Sequence, residues 1–284
     1  KKHIENNINN ISNNIVLAGG LFANVKVNQR IFEKSGVENI FIQPAMGDSG
    51  LALGAAQIKW NEVKDNQEDV NYFKDAYLGK EYSNKEIETL LYKNRSKFSY
   101  QKFDDISIEI GNFLNEGMLV GNLQGRSEWG PRALGNRSIL IRPTDKDINN
   151  IVNDRLHRSE FMPFAPSVLD YRAKDYFVNY NENHIAAEYM TITYDVFREK
   201  VLEIQAVVHI DNTARPQVVK ISNNEKYYKI LKAYERLSGI GCIVNTSFNL
   251  HEEPIVESPN DALRAFEQNA IDVLILNDYV VKIR

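Results

Sequence analysis

Arg126, Arg132 and Arg137 are spaced through residues 124–138 (QGRSEWGPRALGNRS) together with Gly125, Gly130 and Gly135. A guanidinium is charged at neutral pH, and its planar fork matches the paired oxygens of a phosphate or carboxylate. Glycine permits backbone with φ > 0 and lets a ligand approach the chain closely. The combination is that of a loop built to hold a small, strongly anionic molecule. A solvated charge run would mix in lysines and acids, whereas this stretch has no Lys and one acid, Glu128. A surface loop with its arginines in water is therefore the weaker reading. Gln124, Gly125, Gly130, Pro131, Gly135, Asn136 and Ser138 are the accompanying candidates for contacts to the anion.

Other polar clusters follow apolar runs. Gly19-Gly20 can present backbone N–H groups to a phosphate, with Asn24 about one turn into the following helix as a ligand contact or a cap. Asp48, between Gly47 and Ser49-Gly50, is either an N-cap or a hard oxygen ligand for a metal, and the local sequence favours the cap. Arg155, His157 and Arg158 precede the proline-punctuated segment 161–166, where Pro163 and Phe164 can wall a pocket. His209, Thr213 and Arg215 follow a strand-like run, and Asn245, Thr246, Ser247 and Asn249 follow another. Such clusters, each at a strand end, can converge on one side of a sheet, where α/β folds bind ligands. The pocket they would make is rich in Arg, Asn, Ser and Thr and poor in carboxylate. It lacks the paired acids of a glycosidase and a Ser-His-Asp set.

The elements that must position these groups read as mixed α/β. Strands are expected at 15–18, 40–42, 118–123, 138–142, 167–169, 207–210, 240–245, 273–277 and 280–283. Helices are expected at 24–34, 51–60, 106–116, 145–156 (starting at Thr144 or Asp145), 226–238 and 259–269, and one headed by Ser83 with Glu86 as its capping-box partner. The polar, charged segment 61–82 reads as a connection between domains. The strand–GG–helix–strand–GDSG–helix order of the opening is an α/β pattern that covers only part of a typical domain.

Bulk properties narrow the function. At 284 residues the chain has room for two domains, and 43% hydrophobic with 25% charged residues is ordinary globular composition. A formal net charge of −4, with no long basic stripe, argues against a general nucleic-acid partner. The single cysteine, Cys242, sits in the apolar run 240–244 and reads as core, so no intrachain disulfide forms. No apolar stretch is long enough to span a membrane and no signal-peptide pattern opens the chain, so cytoplasm is the expected location. The Asn-rich opening without an initiator Met suggests a fragment of a longer polypeptide.

Taken together, the motifs resemble the O-carbamoyltransferase family of nodulation-type and antibiotic-tailoring enzymes. The resemblance rests on GGLFAN (19–24), QPAMGDSGLALGAA (43–56), QGRSEWGPRALGNRSI (124–139), RxExxPFAPS (158–167), HIDNTARPQ (209–217) and NTSFNLHEEPIV (245–256). Any one is modest, but together they run in the family's order through most of the chain. The resemblance implies a YrdC-like twisted mixed sheet with flanking helices over 84–284. Before it come the C-terminal remnant of an actin/hexokinase-type ATPase-like domain (1–62) and a linker (63–83). Hydrogenase-maturation carbamoyltransferases carry the two parts in the opposite order and are the more distant relatives.

That resemblance implies a two-step chemistry. Carbamoyl phosphate and ATP, with Mg²⁺, give carbamoyl adenylate in the YrdC-like domain. The ATPase-like domain then passes the carbamoyl group to a hydroxyl of an acceptor. Arg126, Arg132, Arg137, Arg155 and Arg215 would offset the repulsion between two anionic substrates. Ser138, Asn245, Ser247 and Asn249 would orient the carbamoyl and phosphate groups, and His157 and His209 are candidate bases. In the family the transfer site holds a metal, expected to be iron, on a His pair and an Asp. Asp48 matches that Asp, while the His pair has no counterpart in this chain, so at best a partial site is expected here. Gly19, Gly20 and Asn24 match the transfer site's nucleotide contacts. The competing readings are a non-catalytic nucleotide- or RNA-binding module and synthesis of a threonylcarbamoyl adenylate. Self-association of the chain is also expected, because a partial domain leaves apolar surface uncovered.

Overall fold

The apolar runs flanking the arginine-rich stretch become central strands of one large sheet. The computed structural model describes residues 12–63, 74–156 and 164–284. Its first part comprises β1 (Asn14–Leu17), a 3-10 turn at Gly20–Ala23, α1 (Val25–Ser35), β2 (Asn39–Ile42) and α2 (Leu51–Val63). β1 and β2 pair in parallel as a two-stranded sheet of their own. Ile15, Leu17, Ile40 and Ile42 point to the core, whereas α2 buries none of its residues.

The second part begins with α3 (Asn84–Lys93), β3 (Phe98–Lys102), α4 (Ile106–Glu116), β4 (Val120–Leu123), β5 (Arg137–Ile141) and α5 (Ile148–Arg155). It continues with β6 (Ala165–Leu169), α6 (Ala173–Tyr176), β7 (Tyr194–Asp195), β8 (Thr213–Ala214) and β9 (Gln217–Val219). It closes with α7 (Glu225–Ser238), β10 (Cys242–Ser247), α8 (Pro259–Glu267), β11 (Val273–Leu276) and β12 (Tyr279–Ile283). Among the described residues, eight of these strands form a mixed sheet ordered β3-β12-β11-β4-β5-β10-β6-β9. Only β11/β4 and β6/β9 run parallel. The architecture is the mixed sheet with flanking helices expected of residues 84–284.

Helices cover both faces, so β4, β5, β6 and β11 are buried at every position rather than alternating. On β11, Val273 and Ile275 meet α4 and α7, packing with Ile110, Leu114, Ile230 and Tyr234. Leu274 and Leu276 face the other way, with Ile87 and Leu91 of α3 and Phe266 of α8. Each such side chain removed from water contributes on the order of 1.5–3 kcal/mol. Cys242 lies in the same core, buried and unpaired, and burial pushes its thiol up out of reach of thiolate chemistry.

Several boundaries follow local chemistry. The Ser83–Glu86 capping box is present, and α4 runs from Asp105, whose side chain accepts from the Ser107 amide, to left-handed Gly117. Others differ from expectation. The helix expected from Thr144 or Asp145 begins at Ile148, because the Asp145 carboxylate accepts from the Asp147 amide in a turn and lies 3.9 Å from Arg142. The strand expected at 207–210 is absent. A 3-10 turn ends at Val207, and the chain reverses through Asn212 (φ 60°) so that the His209 amide bonds the Thr213 carbonyl. Asp48 is not a cap; Gly47 precedes a 3-10 turn at Asp48–Gly50, and Asp48 lies exposed in its first turn. Asn24 sits before α1, not one turn into it, and caps the helix by accepting from the Val27 amide.

Candidate anion-binding site

The segment between the two parts does more than connect them. Residues 76–80 lie along the arginine-rich loop, with the Trp129 amide on the Ala76 carbonyl and Gly79 and Ser127 joined through their main chains. Arg126 spends its guanidinium here, donating to the Leu78 and Gly79 carbonyls at 2.9 Å each. Arg137, fully buried, donates to five carbonyls: those of Lys80, Gln124, Gly125, Asn136 and Glu257. Arg155 pairs with Asp272 at 2.8 Å and donates to Asn269. Three of the five arginines expected to meet the anion are thus committed to holding the fold. A carbonyl-rich loop and an anion satisfy a guanidinium equally well.

The other two converge. Arg132, Arg215, Asn245, Thr246 and Ser247 line one cleft of about 70 Å³, with Pro131 and Phe164 in its walls. Among the described residues no carboxylate lines it. Among the described residues neither guanidinium has a hydrogen bond or ion pair to protein, and the Arg132 Nε is buried without a partner. Burial lowers the Arg132 pKa, and burial followed by the Arg132 charge pulls Arg215 down to about 9. Two cations in one cleft, with no acid beside them among the described residues, are a standing cost that a bound anion relieves.

A buried polar network holds the cleft floor. Asn245 donates to Gln217 at 2.9 Å, Ser167 at 3.1 Å and the Ala133 carbonyl at 3.3 Å, and its Oδ1 has no partner. Ser167 donates to Gln217, which donates in turn to the Leu134 carbonyl at 2.7 Å. The Tyr77 hydroxyl reaches the same carbonyl at 2.8 Å. The network ties β6, β9 and β10 to the loop that carries Arg132.

That loop is also clamped from within. Glu128 Oε1 accepts from the Leu134, Asn136 and Arg137 amides at 2.7, 2.8 and 3.1 Å. Burial raises its carboxyl pKa although those amides act the other way. Gly130 (φ 117°) lets the loop pass the Pro44 carbonyl, and Gly135 (φ 109°) lies against the Tyr227 ring. Both need a residue without a side chain.

Several of the remaining expected residues bond within the protein. Gln124 bonds the Asn277 carbonyl, and the Gly125 amide bonds the Asn277 side chain. Asn136 donates to the Arg126 carbonyl and accepts from Asn224. Ser138 accepts from the Gly135 amide, and Asn249 donates to the Leu250 and Glu253 carbonyls. His209 and Thr213, 3.2 Å apart, line a separate cavity of about 610 Å³ that shares Phe164 with the cleft. Its walls are mostly apolar, with the Lys26–Asp211 ion pair (2.7 Å) among them. Lys26 and Thr213 bring Asp211 down to about 2 although burial acts against it, whereas burial and then Arg215 lower His209. The Gly19 amide bonds the Met46 carbonyl, and the surroundings of Gly19 and Gly20 are open. His157, Pro163 and Arg158 lie outside the described residues. Among the described residues, no group of three or more His, Cys, Asp or Glu could hold a metal, at Asp48 or elsewhere, and no helix is long and apolar enough to cross a membrane.

The family model of the carbamoyltransferase C-terminus matches residues 111–283, and that of the carbamoyltransferase N-terminus matches residues 2–57. The chain belongs to the carbamoyltransferase family. Among its relatives, an uncharacterized protein of Methanocaldococcus jannaschii is 38% identical over 278 residues, 94% of this chain and 44% of that protein. Nodulation protein NolNO of Sinorhizobium fredii is 36% identical over 273 residues, 94% of this chain and 39% of its own length. Nodulation protein U of Rhizobium fredii is 30% identical over 238 residues, 84% of this chain and 38% of its own. The chain spans less than half the length of each of these three. The crystal structure of full-length HypF in the phosphate- and nucleotide-bound form is similar with a TM-score of 0.46 and 20% identity, over 63% of this chain and 22% of that one.

The site residues not singled out from the sequence are Glu128, Ser167, Gln217 and Tyr77. Glu128 carried a signal, as the one acid among three arginines. Ser167 and Gln217 close two of the motifs, at 158–167 and 209–217, without being singled out there, and Tyr77 lies outside every motif.

Proposed function

We propose that this chain forms carbamoyl adenylate, the activating step of an O-carbamoyltransferase. The observation that carries the reading is the pairing of Arg132 and Arg215 in one cleft where, among the described residues, neither has a protein partner and no carboxylate lines the wall. Both substrates are anions, and bringing them together costs Coulomb repulsion that two unneutralised guanidiniums offset. Water cleaves the phosphate from carbamoyl phosphate, leaving carbamate. A carbamate oxygen then attacks the α-phosphorus of ATP and pyrophosphate leaves, with the reacting oxygens in line. Arg132 and Arg215 hold phosphoryl oxygens, and Thr246 and Ser247 orient the carbamoyl group. Mg²⁺ accompanies ATP and neutralises part of the charge on its phosphates. Transfer to a hydroxylated acceptor would need further residues: Gly19, Gly20 and Asn24 would face a nucleotide, and Asp48 would supply one ligand to iron or another divalent metal, the others coming from outside these residues.

The test is pyrophosphate release from ATP and Mg²⁺, with and without carbamoyl phosphate. Release that depends on carbamoyl phosphate and is lost in Arg132→Ala supports the proposal. Release that depends instead on threonine and bicarbonate moves the chemistry to threonylcarbamoyl adenylate. ATP binding without release under either condition assigns the chain a non-catalytic nucleotide-binding role.

A further inference from the structure

Glu128 meets Arg137, nine positions later, at its backbone amide. The Arg137 guanidinium is already occupied by five carbonyls. Glu128 directs Oε1 at backbone instead, gathering the amides of Leu134, Asn136 and Arg137. The Leu134 and Asn136 amides lie outside any strand or helix and the Arg137 amide opens β5, so the carboxylate does for this turn what a neighbouring strand or helix would. The three amides bracket Gly135, where the loop turns back against Tyr227. Arg132 is carried between the carboxylate and the amides it gathers. Its side chain has no hydrogen bond of its own to fix it among the described residues, so its aim depends on the backbone beneath it.

We propose that Glu128 is a positioning residue that aims Arg132 into the anion cleft by clamping the loop between them. This rests on the reading of the cleft as an anion site. A clamp and a charge have opposite consequences. If Glu128 acted on the anion by its charge alone, removing it would tighten binding. If it acts by aiming Arg132, removing it loosens binding even though a negative charge has gone.

The experiment is calorimetric titration of the whole chain with inorganic phosphate, alongside its thermal unfolding. Glu128→Ala should weaken phosphate binding by about tenfold or more, the scale of loss from a misplaced site group. Arg132→Ala should weaken it at least as much, and the double variant should lie within about twofold of Arg132→Ala, since a group acting only through Arg132 has nothing left to lose. Glu128→Gln keeps an oxygen acceptor for the three amides and should bind within about threefold of the unaltered chain. Tighter binding in Glu128→Ala, or losses that multiply in the double variant, overturn the positioning role. Should Glu128→Ala not fold, Glu128→Asp decides, because its carboxylate stops one methylene short. Weaker binding at an unchanged unfolding temperature supports the clamp, and unchanged binding overturns it. Absence of phosphate binding in the unaltered chain overturns the anion-site reading itself and is thereby distinguished from failure of the clamp.

Discussion

Arg132 and Arg215 line the same cleft, and the Arg132 charge adds to burial in pulling Arg215 down to about 9. A base held below its ordinary value of 12.5 costs the fold stability while it is charged. That cost is fully present below about pH 9 and is relieved as the pH rises from there towards 12.5. An anion in the cleft offsets it only while the charge is present.

Phosphate or pyrophosphate should therefore raise the unfolding temperature at pH 7 and raise it less at pH 10. Arg215→Ala should remove most of the gain at pH 7. Scanning fluorimetry across this range makes the comparison, and an equal gain at both pH values or in the variant would contradict the assignment of Arg215 to an anion.

Arg137 should behave as a structural residue. Arg137→Ala takes a donor from five carbonyls, of which those of Lys80 and Asn136 keep a backbone amide, and should cost about 3–5 kcal/mol. Arg137→Lys should recover little of it, because an ammonium has three donors and no planar fork. Urea unfolding reads both. A well-folded Arg137→Lys variant that had lost only its phosphate affinity would return Arg137 to the anion site.

Gly135 should not tolerate a side chain. A Cβ there would lie 2.4 Å from the Tyr227 ring, at a φ of 109°. Gly135→Ala should cost about 1–3 kcal/mol in backbone strain and overpacking. Shrinking the ring with Tyr227→Leu should restore only the packing share. Full recovery in the double variant would show that the backbone strain is negligible.

Much of this frame was legible in the sequence. The limits of α4 follow from Asp105 and Gly117, and the continuous apolar run of β11 announces a strand covered on both faces. The strand β3 was not legible because Phe98–Lys102 is a half-exposed edge strand with polar positions, defined by its pairing with β12. The site was legible as a set of arginines but not in its membership. Arg126 and Arg132 have the same chemistry six residues apart. What separates them is whether the carbonyls of Leu78 and Gly79 arrive beside them, which only the folded chain decides.

The seam between the first part of the chain and the second should respond to acid. Phe32 of α1 meets the buried His184 ring edge-on at 4.7 Å, and His184 Nδ1 lies 3.2 Å from both the Asn181 amide and the Tyr194 hydroxyl. Nearby, Asn28 donates to the Thr191 carbonyl at 2.7 Å and Gln29 to Asp195 at 3.0 Å. An Nδ1 that accepts from the Asn181 amide cannot carry a proton, and burial lowers the His184 pKa from its ordinary 6.5. The sign follows: the unfolded chain takes up a proton as pH falls below 6.5 while the folded chain does not, so stability is present above that value and is lost below it. One such group contributes at most about 1.4 kcal/mol per pH unit. His184→Phe keeps the ring in its aromatic surroundings and removes the titration, so the fall in urea midpoint between pH 7 and pH 5 should become shallower. A residual slope should remain from His209, which burial and then Arg215 also hold low. An unchanged slope in His184→Phe would mean that the seam is insensitive to this proton, and that the acid response resides elsewhere in the chain.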